Sequence, residues 1–189
     1  MADSKSSAAF GAFKTLIATP TLPDLGPGPR AGVQMQAYLN QPLEEYFRKE
    51  KSPASLQPLL RAAALLWHDH HDAAHVLVQE EPGAEGSFLH GILHRREPDY
   101  GNARYWFRRV GQHPCFPLIA EKAAVLLDQI PERELKFKLL RQGAWNSCAF
   151  IDACEAAADL PAAPARTQLL QQIQAVEFET LVAFMLQRG

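Results

Sequence analysis

The chain has 189 residues, of which 47% are hydrophobic and 21% charged, which is ordinary usage for a globular domain. Nineteen basic and 21 acidic residues give a net charge of −2, so the composition argues against binding nucleic acid or anionic lipid through a general positive field. No stretch approaches the roughly 18 consecutive apolar residues of a membrane span, so we expect no association with a membrane.

The N-terminal 30 residues are small and polar, with four prolines and two glycines between positions 20 and 29. A segment of this composition buries too little apolar surface to offset its chain entropy. We therefore predict a flexible tail over residues 1–30, with some order around Phe10–Ile17, followed by a single domain over residues 31–189.

Helical signals begin near residue 40. Pro42 stands near a predicted helix start, and Ser55 is a candidate N-cap for the apolar run LQPLLRAAALLW, in which Pro58 falls within the first turn. Residues 56–80 fit either one continuous helix or a hairpin that turns near residues 68–70, with Asp69 capping its second helix. The sequence leaves these two alternatives open.

Further helices are predicted over residues 71–81 and Ser87–Glu97. Asp99, with Asn102 three residues later, marks an N-cap for YGNARYWFRRV, which Gly111 closes. Alternating runs of β-branched residues are not found, so the fold class is all-α, built from packed antiparallel helices. The remaining helices are predicted at about 117–129, 132–142, 147–158 and 164–187.

The stretch DYGNARYWFRRVGQHP, residues 99–114, resembles the second helix of a tetratricopeptide repeat. In that family a turn acid, an Asn-Ala pair, aromatic residues at helical spacing and a closing proline recur, and a small alanine lets two helices approach closely. The preceding helix, FLHGILHRRE, lacks the family's Trp-Leu-Gly-Tyr pattern, so the resemblance implies stacked helical hairpins in the centre of the chain. The matching positions are Asp99, Asn102, Ala103, Tyr105, Trp106 and Pro114.

The longer string HGILHRREPDYGNARYWFRRVGQHP is similar to the signature of an uncharacterised family of small all-α proteins, in which HRRE and NAxYWxRRVGxHP occur together. The resemblance covers about residues 56–155. It implies a small helical protein and no particular activity.

All seven histidines lie between residues 68 and 113. Imidazole is the commonest metal ligand in proteins, and His90 and His94, at i and i+4, share one helix face. If residues 56–80 form one helix, His68 and Asp72 join His75 on a stripe; in a hairpin, only His71 and His75 stay paired. The sequence therefore predicts a divalent metal site from His71, His75, His90 and His94, against the alternative that these side chains only make polar helix contacts.

The HGILH spacing does not indicate a metalloprotease, because Gly91 stands where those enzymes place a glutamate. Glu97 lies seven residues after His90, on the same side of the helix, and is a candidate third ligand. A metal-dependent enzyme, most simply a hydrolase that uses these histidines with Asp72 or Glu97, is one hypothesis for the function.

The leading hypothesis is instead a polar concavity that binds a small anion or a protein partner. Guanidinium groups bind carboxylate or phosphate in a bidentate manner, and Arg95 directly follows His94. The alternative is that Arg95 or Arg96 pairs internally with Glu97 or Asp99. The residues predicted for the binding site are His75, His90, His94, Arg95 and Glu97.

The three tryptophans are more typical of a core than of a ligand platform. Three cysteines without a CxxC motif indicate reduced thiols and a cytoplasmic protein, and they favour neither a disulfide framework nor a thiolate zinc site. The sequence predicts neither the substrate nor the oligomeric state.

Overall fold

The computed structural model describes residues 2–159 and 164–188. Within these two ranges the chain forms ten α-helices and one short 3₁₀ turn at Arg141–Gly143, and no strand, which confirms the predicted all-α class. The helices are α1 (Ala2–Leu16), α2 (Gln36–Glu50), α3 (Gln57–Trp67), α4 (His71–Val78), α5 (Ala84–Arg96), α6 (Tyr100–Val110), α7 (Phe116–Leu127), α8 (Arg133–Leu139), α9 (Ser147–Asp159) and α10 (Pro164–Arg188).

Local signals predict some helix ends well and others poorly. The carboxylate of Asp99 accepts the backbone N–H of Asn102 at 3.2 Å, so the predicted N-cap of α6 is confirmed. Ser55 is not a cap, because α3 begins at the following residues without a side-chain capping bond. Pro42 lies inside α2, since that helix already begins at Gln36.

Residues 56–80 form a hairpin and not a single helix. Helix α3 ends at Trp67 and α4 begins at His71, with Asp69 between them in the left-handed region at φ +64°. Asp69 does not cap α4, whose N-cap position is His70. Its carboxylate turns into the protein instead, where it binds two arginines.

In the segment that the sequence predicts to be a tail with some order around Phe10–Ile17, helix α1 covers residues 2–16. Helix α1 packs against α10 and α2, and its residues Ala9 and Phe13, with Ile17 just beyond its end, form a buried stripe at i, i+4 and i+8. The following residues 18–35 lie against the α3–α4 turn, where the side chain of Arg30 is buried. The predicted tail starts at residue 1 and the predicted domain ends at residue 189, and both of these residues lie outside the described ranges.

Helix α5 is the central helix. Every residue from Gly86 to Arg96 is buried, although this run includes two histidines and two arginines. Its most extensive contacts are with α6. A Cβ atom at Gly91 would lie 2.6 Å from Cδ2 of Phe107, so glycine at this position allows the two helices to approach closely. None of the described helices combines the length and apolarity that are needed to span a membrane.

Candidate functional site

Three imidazoles from two helices meet beside the α4–α5 contact. His75 comes from α4, while His90 and His94 are one turn apart on α5. One ring nitrogen of each residue lies within 4.8 Å of the corresponding nitrogens of the other two. The rings of His90 and His94 are nearly parallel, with centroids 4.9 Å apart, and the ring of His75 stands edge-on to both. We call these three residues the histidine cluster.

Two members of the histidine cluster are buried without the hydrogen bonds that buried polar groups normally make. His90 is 2% exposed and His94 is 8% exposed. The Nδ1 atoms of both residues are buried, and neither has a hydrogen-bond partner among the described residues. Because an unpaired buried polar atom costs free energy, these nitrogens mark a place where a further group would be stabilising.

The electrostatics of the cluster favour neutral imidazole. Burial, together with the neighbouring His94 and His75, lowers the pKa of His90 to about 4. Burial also lowers the pKa of His94, although the carboxylate of Asp99 opposes that shift. At neutral pH both rings therefore carry a free lone pair, as metal coordination requires.

Carboxylates border the histidine cluster. An oxygen of Glu97 lies 3.2 Å from Nδ1 of His94, without the geometry of a hydrogen bond, and an oxygen of Asp99 lies 3.9 Å from the same nitrogen. Burial raises the pKa of Glu97; His75 opposes this shift, and the nearby Asp72 adds to it. The side chain of Glu97 is 28% exposed, so the cluster is bordered by a carboxylate that solvent can reach.

The structure brings together four of the residues predicted for the site, His75, His90, His94 and Glu97. His71, a predicted metal ligand, is not part of the cluster: its Nδ1 donates to the backbone carbonyl of Asp69 at 3.1 Å.

Arg95, the predicted anion-binding residue, is directed away from the histidines. Its guanidinium donates to the carboxylate of Glu177 on α10 at 2.7 Å and lies over the ring of Phe150. Both charged side chains are fully buried. Internal pairing of the arginines was one of the alternatives from the sequence, but the partner is Glu177 and not Glu97 or Asp99. A contact across 82 positions has no local sequence signal.

Arg96 and Arg30 share the carboxylate of Asp69. The remaining N–H groups of these arginines donate to backbone carbonyls, including those of Leu66, Trp67 and Asp24. We call Arg30, Asp69 and Arg96 the aspartate cluster. It attaches the N-terminal segment to the α3–α4 turn.

Trp106 is the residue of the site that the sequence analysis assigned to the core. Its indole is only partly buried and stacks on His90, with ring centroids 3.8 Å apart and planes 13° from parallel. Trp67 and Trp145 are buried, as predicted. A stack between two helices depends on how those helices pack, so spacing along the chain does not reveal it.

The chain was compared with protein-family models, with curated proteins and with solved structures. No family model matches it, and neither of the other two comparisons gives a match.

Proposed function

We propose that this protein binds a divalent transition metal at the histidine cluster, His75, His90 and His94. The observation that carries the proposal is that three imidazole nitrogens lie within 4.8 Å of one another. The buried and unpaired Nδ1 atoms of His90 and His94 support it, because a metal ion would satisfy nitrogens that now lack a hydrogen-bond partner in the described structure.

Imidazole nitrogen suits borderline ions such as zinc, copper, nickel and cobalt better than it suits magnesium or calcium. Zinc–nitrogen bonds are about 2.0–2.1 Å long, which in tetrahedral geometry separates two ligand nitrogens by about 3.4 Å. The nitrogens of the histidine cluster, which are up to 4.8 Å apart, would have to approach one another by up to about 1.4 Å to reach that spacing. Glu97 is placed either to supply an oxygen as a further ligand or to accept a hydrogen bond from His94.

The charges around the site favour a cation over an anion. The charge of Arg95 is paired with Glu177 in the interior, so this residue supplies no free guanidinium to the histidine cluster. The carboxylates of Asp72, Glu97 and Asp99 are close enough to influence one another and the imidazoles. They attract a metal ion and repel a phosphate or carboxylate ligand, which weakens the case for a small anion.

The test is uptake of zinc by the untagged protein, dialysed free of metal and titrated against a chromophoric chelator. We expect one equivalent to bind to the wild type and none to bind tightly to His75→Ala, a change at a partly exposed residue. His71→Ala is the matched control, because His71 lies one turn earlier on α4 and outside the cluster. Equal zinc uptake by wild type and His75→Ala would overturn the proposal.

A metal-dependent hydrolase is a second candidate. It is favoured by Glu97, whose pKa is raised and which lies beside three ligands that leave a fourth position for water. A metal held by the three histidines would supply Lewis-acid activation of water, and Glu97 would serve as the general base that takes a proton from a water attacking an ester carbonyl. Cleavage of the acyl C–O bond would release the alkoxide, which would take up that proton. Zinc-dependent hydrolysis of an activated ester that Glu97→Gln abolishes, without loss of zinc, would support this activity; equal rates would contradict it.

A cytoplasmic location, binding of a protein partner and the tetratricopeptide character of the central hairpins remain proposals. All three cysteines are free thiols, which supports a reducing compartment. The α3–α4 and α5–α6 hairpins support the repeat-like interpretation.

A further inference from the structure

The stack of Trp106 on His90 is set by the packing of the α5–α6 hairpin. Gly91 leaves room for the ring of Phe107, which is buried and also contacts Phe88 at a centroid distance of 5.2 Å. Trp106 is the neighbour of Phe107, as His90 is the neighbour of Gly91. The close approach at Gly91 and Phe107 therefore brings the indole over the imidazole.

The ring of His90 has no hydrogen bond that fixes its orientation. Its Nδ1 atom is buried and unpaired, and no described residue forms a hydrogen bond with its other nitrogen. Histidines that bind metals normally donate their second N–H to a carboxylate or a carbonyl, which orients the ring. Glu97 lies near His94, whereas no carboxylate among the described residues pairs with His90.

Aromatic surfaces take the place of that hydrogen bond. The indole of Trp106 lies parallel to His90, the ring of His94 is also nearly parallel to it, and His75 meets its edge at 4.7 Å. Trp106 is itself restrained by the guanidinium of Arg109, which lies 5.1 Å from the indole centroid. Rotation of His90 about its side-chain bonds would therefore break the stack.

We propose that Trp106 is a positioning residue of the metal centre, and that its stacked indole holds the His90 nitrogen toward His75 and His94. This inference rests on the proposed metal-binding function. It predicts that metal affinity and coordination geometry both depend on a planar side chain at position 106. This dependence is separate from any effect of the side chain on folding. A purely structural role for Trp106 predicts a loss of stability alone.

The experiment compares zinc affinity and the visible spectrum of the cobalt-loaded protein in four forms: wild type, Trp106→Phe, Trp106→Leu and Trp145→Phe. We expect Trp106→Leu to weaken zinc binding about 10- to 100-fold, the usual effect of removing a group that orients a ligand, and to alter the cobalt absorption bands. Trp106→Phe retains a planar ring and should stay within about threefold of wild type. Trp145→Phe, a change at a distant buried tryptophan, should leave the affinity and the spectrum unchanged.

Circular dichroism establishes which variants are folded. If Trp106→Leu is not folded, Trp106→Met replaces it, because methionine keeps apolar volume without a planar ring. Unchanged zinc affinity and cobalt spectrum in a folded variant without a ring would overturn the positioning role of Trp106 alone. A wild-type protein that takes up neither zinc nor cobalt would overturn the proposed function, and the inference with it. These two failures are therefore distinguishable.

Discussion

The histidine cluster and the aspartate cluster both include residues of α5. They differ in how many of their buried polar atoms have a hydrogen-bond partner. The segment HGILHRRE supplies His90 and His94 to the first and Arg96 to the second. In the aspartate cluster, each of the two guanidinium groups donates to the Asp69 carboxylate and to backbone carbonyls. In the histidine cluster, buried nitrogens have no hydrogen-bond partner in the described structure.

This difference supports the proposed metal site. A buried charge that is fully paired stabilises one conformation, and removing its partner is costly. A buried nitrogen that is unpaired already costs stability and would gain from a ligand. Four measurements test whether the two clusters differ in this way.

The largest effect is expected at the aspartate cluster. Asp69→Asn preserves the shape of the side chain and tolerates the left-handed backbone at this position, but it removes the charge between Arg30 and Arg96. Losing one member of a buried ion cluster is expected to lower the free energy of unfolding by about 3–5 kcal/mol. Urea denaturation measures this change, and a loss below about 1 kcal/mol would remove the stabilising role that we assign to this cluster.

The second effect is a gain of stability at the histidine cluster. Zinc at about 100 times its dissociation constant should raise the free energy of unfolding by about 2.7 kcal/mol, because only the folded chain brings the three imidazoles together. Thermal denaturation with and without zinc measures the gain. His75→Ala should show no gain, and a similar shift in that variant would indicate that zinc acts elsewhere.

Acidification is expected to have a smaller effect through His68, which lies beside the aspartate cluster. Burial lowers its pKa from 6.5 to about 4, helped by His70 and Arg30, and its Nδ1 accepts the N–H of Gln34 at 3.1 Å. Between these two pH values the unfolded chain binds the proton and the folded chain does not. The stability contributed by this group is therefore nearly complete at neutral pH and falls as the pH drops below 6.5, by about 2 kcal/mol at pH 5.

His68→Asn keeps an acceptor near the position of Nδ1 and removes the titration. Denaturation of this variant across the same pH range should show a shallower slope than the wild type. An unchanged slope would assign the acid sensitivity to other groups.

The smallest effect is expected at the surface. Arg104 pairs with Asp152 at 2.7 Å and with Glu155 at 2.5 Å, and the side chain of Asp152 is 64% exposed. Asp152→Asn should change the free energy of unfolding by less than about 1 kcal/mol, since an exposed ion pair is screened by water and salt. It is also the surface control for Asp69→Asn, and equal losses in the two variants would contradict the comparison.

The sequence predicts those features of this protein that depend on residues close in the chain. Helical spacing predicts the shared face of His90 and His94, and the Asp99 cap follows from a residue three positions away. The i, i+4, i+8 apolar stripe of α1 was available in the sequence, but the proline- and glycine-rich segment after it suggested a tail. Local patterns also left the α3–α4 hairpin open, because they do not decide whether a helix continues through residues 68–70.

Contacts between distant segments account for what the sequence could not predict. The pairing of Arg95 with Glu177, the two arginines on Asp69 and the stack of Trp106 on His90 all depend on how helices pack, not on spacing along one helix. The sequence therefore suggested an anion-binding role for Arg95, because its partner Glu177 is 82 positions away and carries no local signal.

The burial of every residue of α5 from Gly86 to Arg96 gives this helix a fixed rotational register. Successive residues are about 100° apart around an α-helix, so a shift of one position in one sense would turn His94 toward Glu177 of α10, and a shift in the other sense would turn Arg95 toward His75. An entirely apolar helix in the same place would tolerate several rotations of similar energy. The histidines and arginines of α5 therefore favour one rotation of the helix about its axis. The order HGILHRRE specifies which neighbouring element each face of the helix contacts.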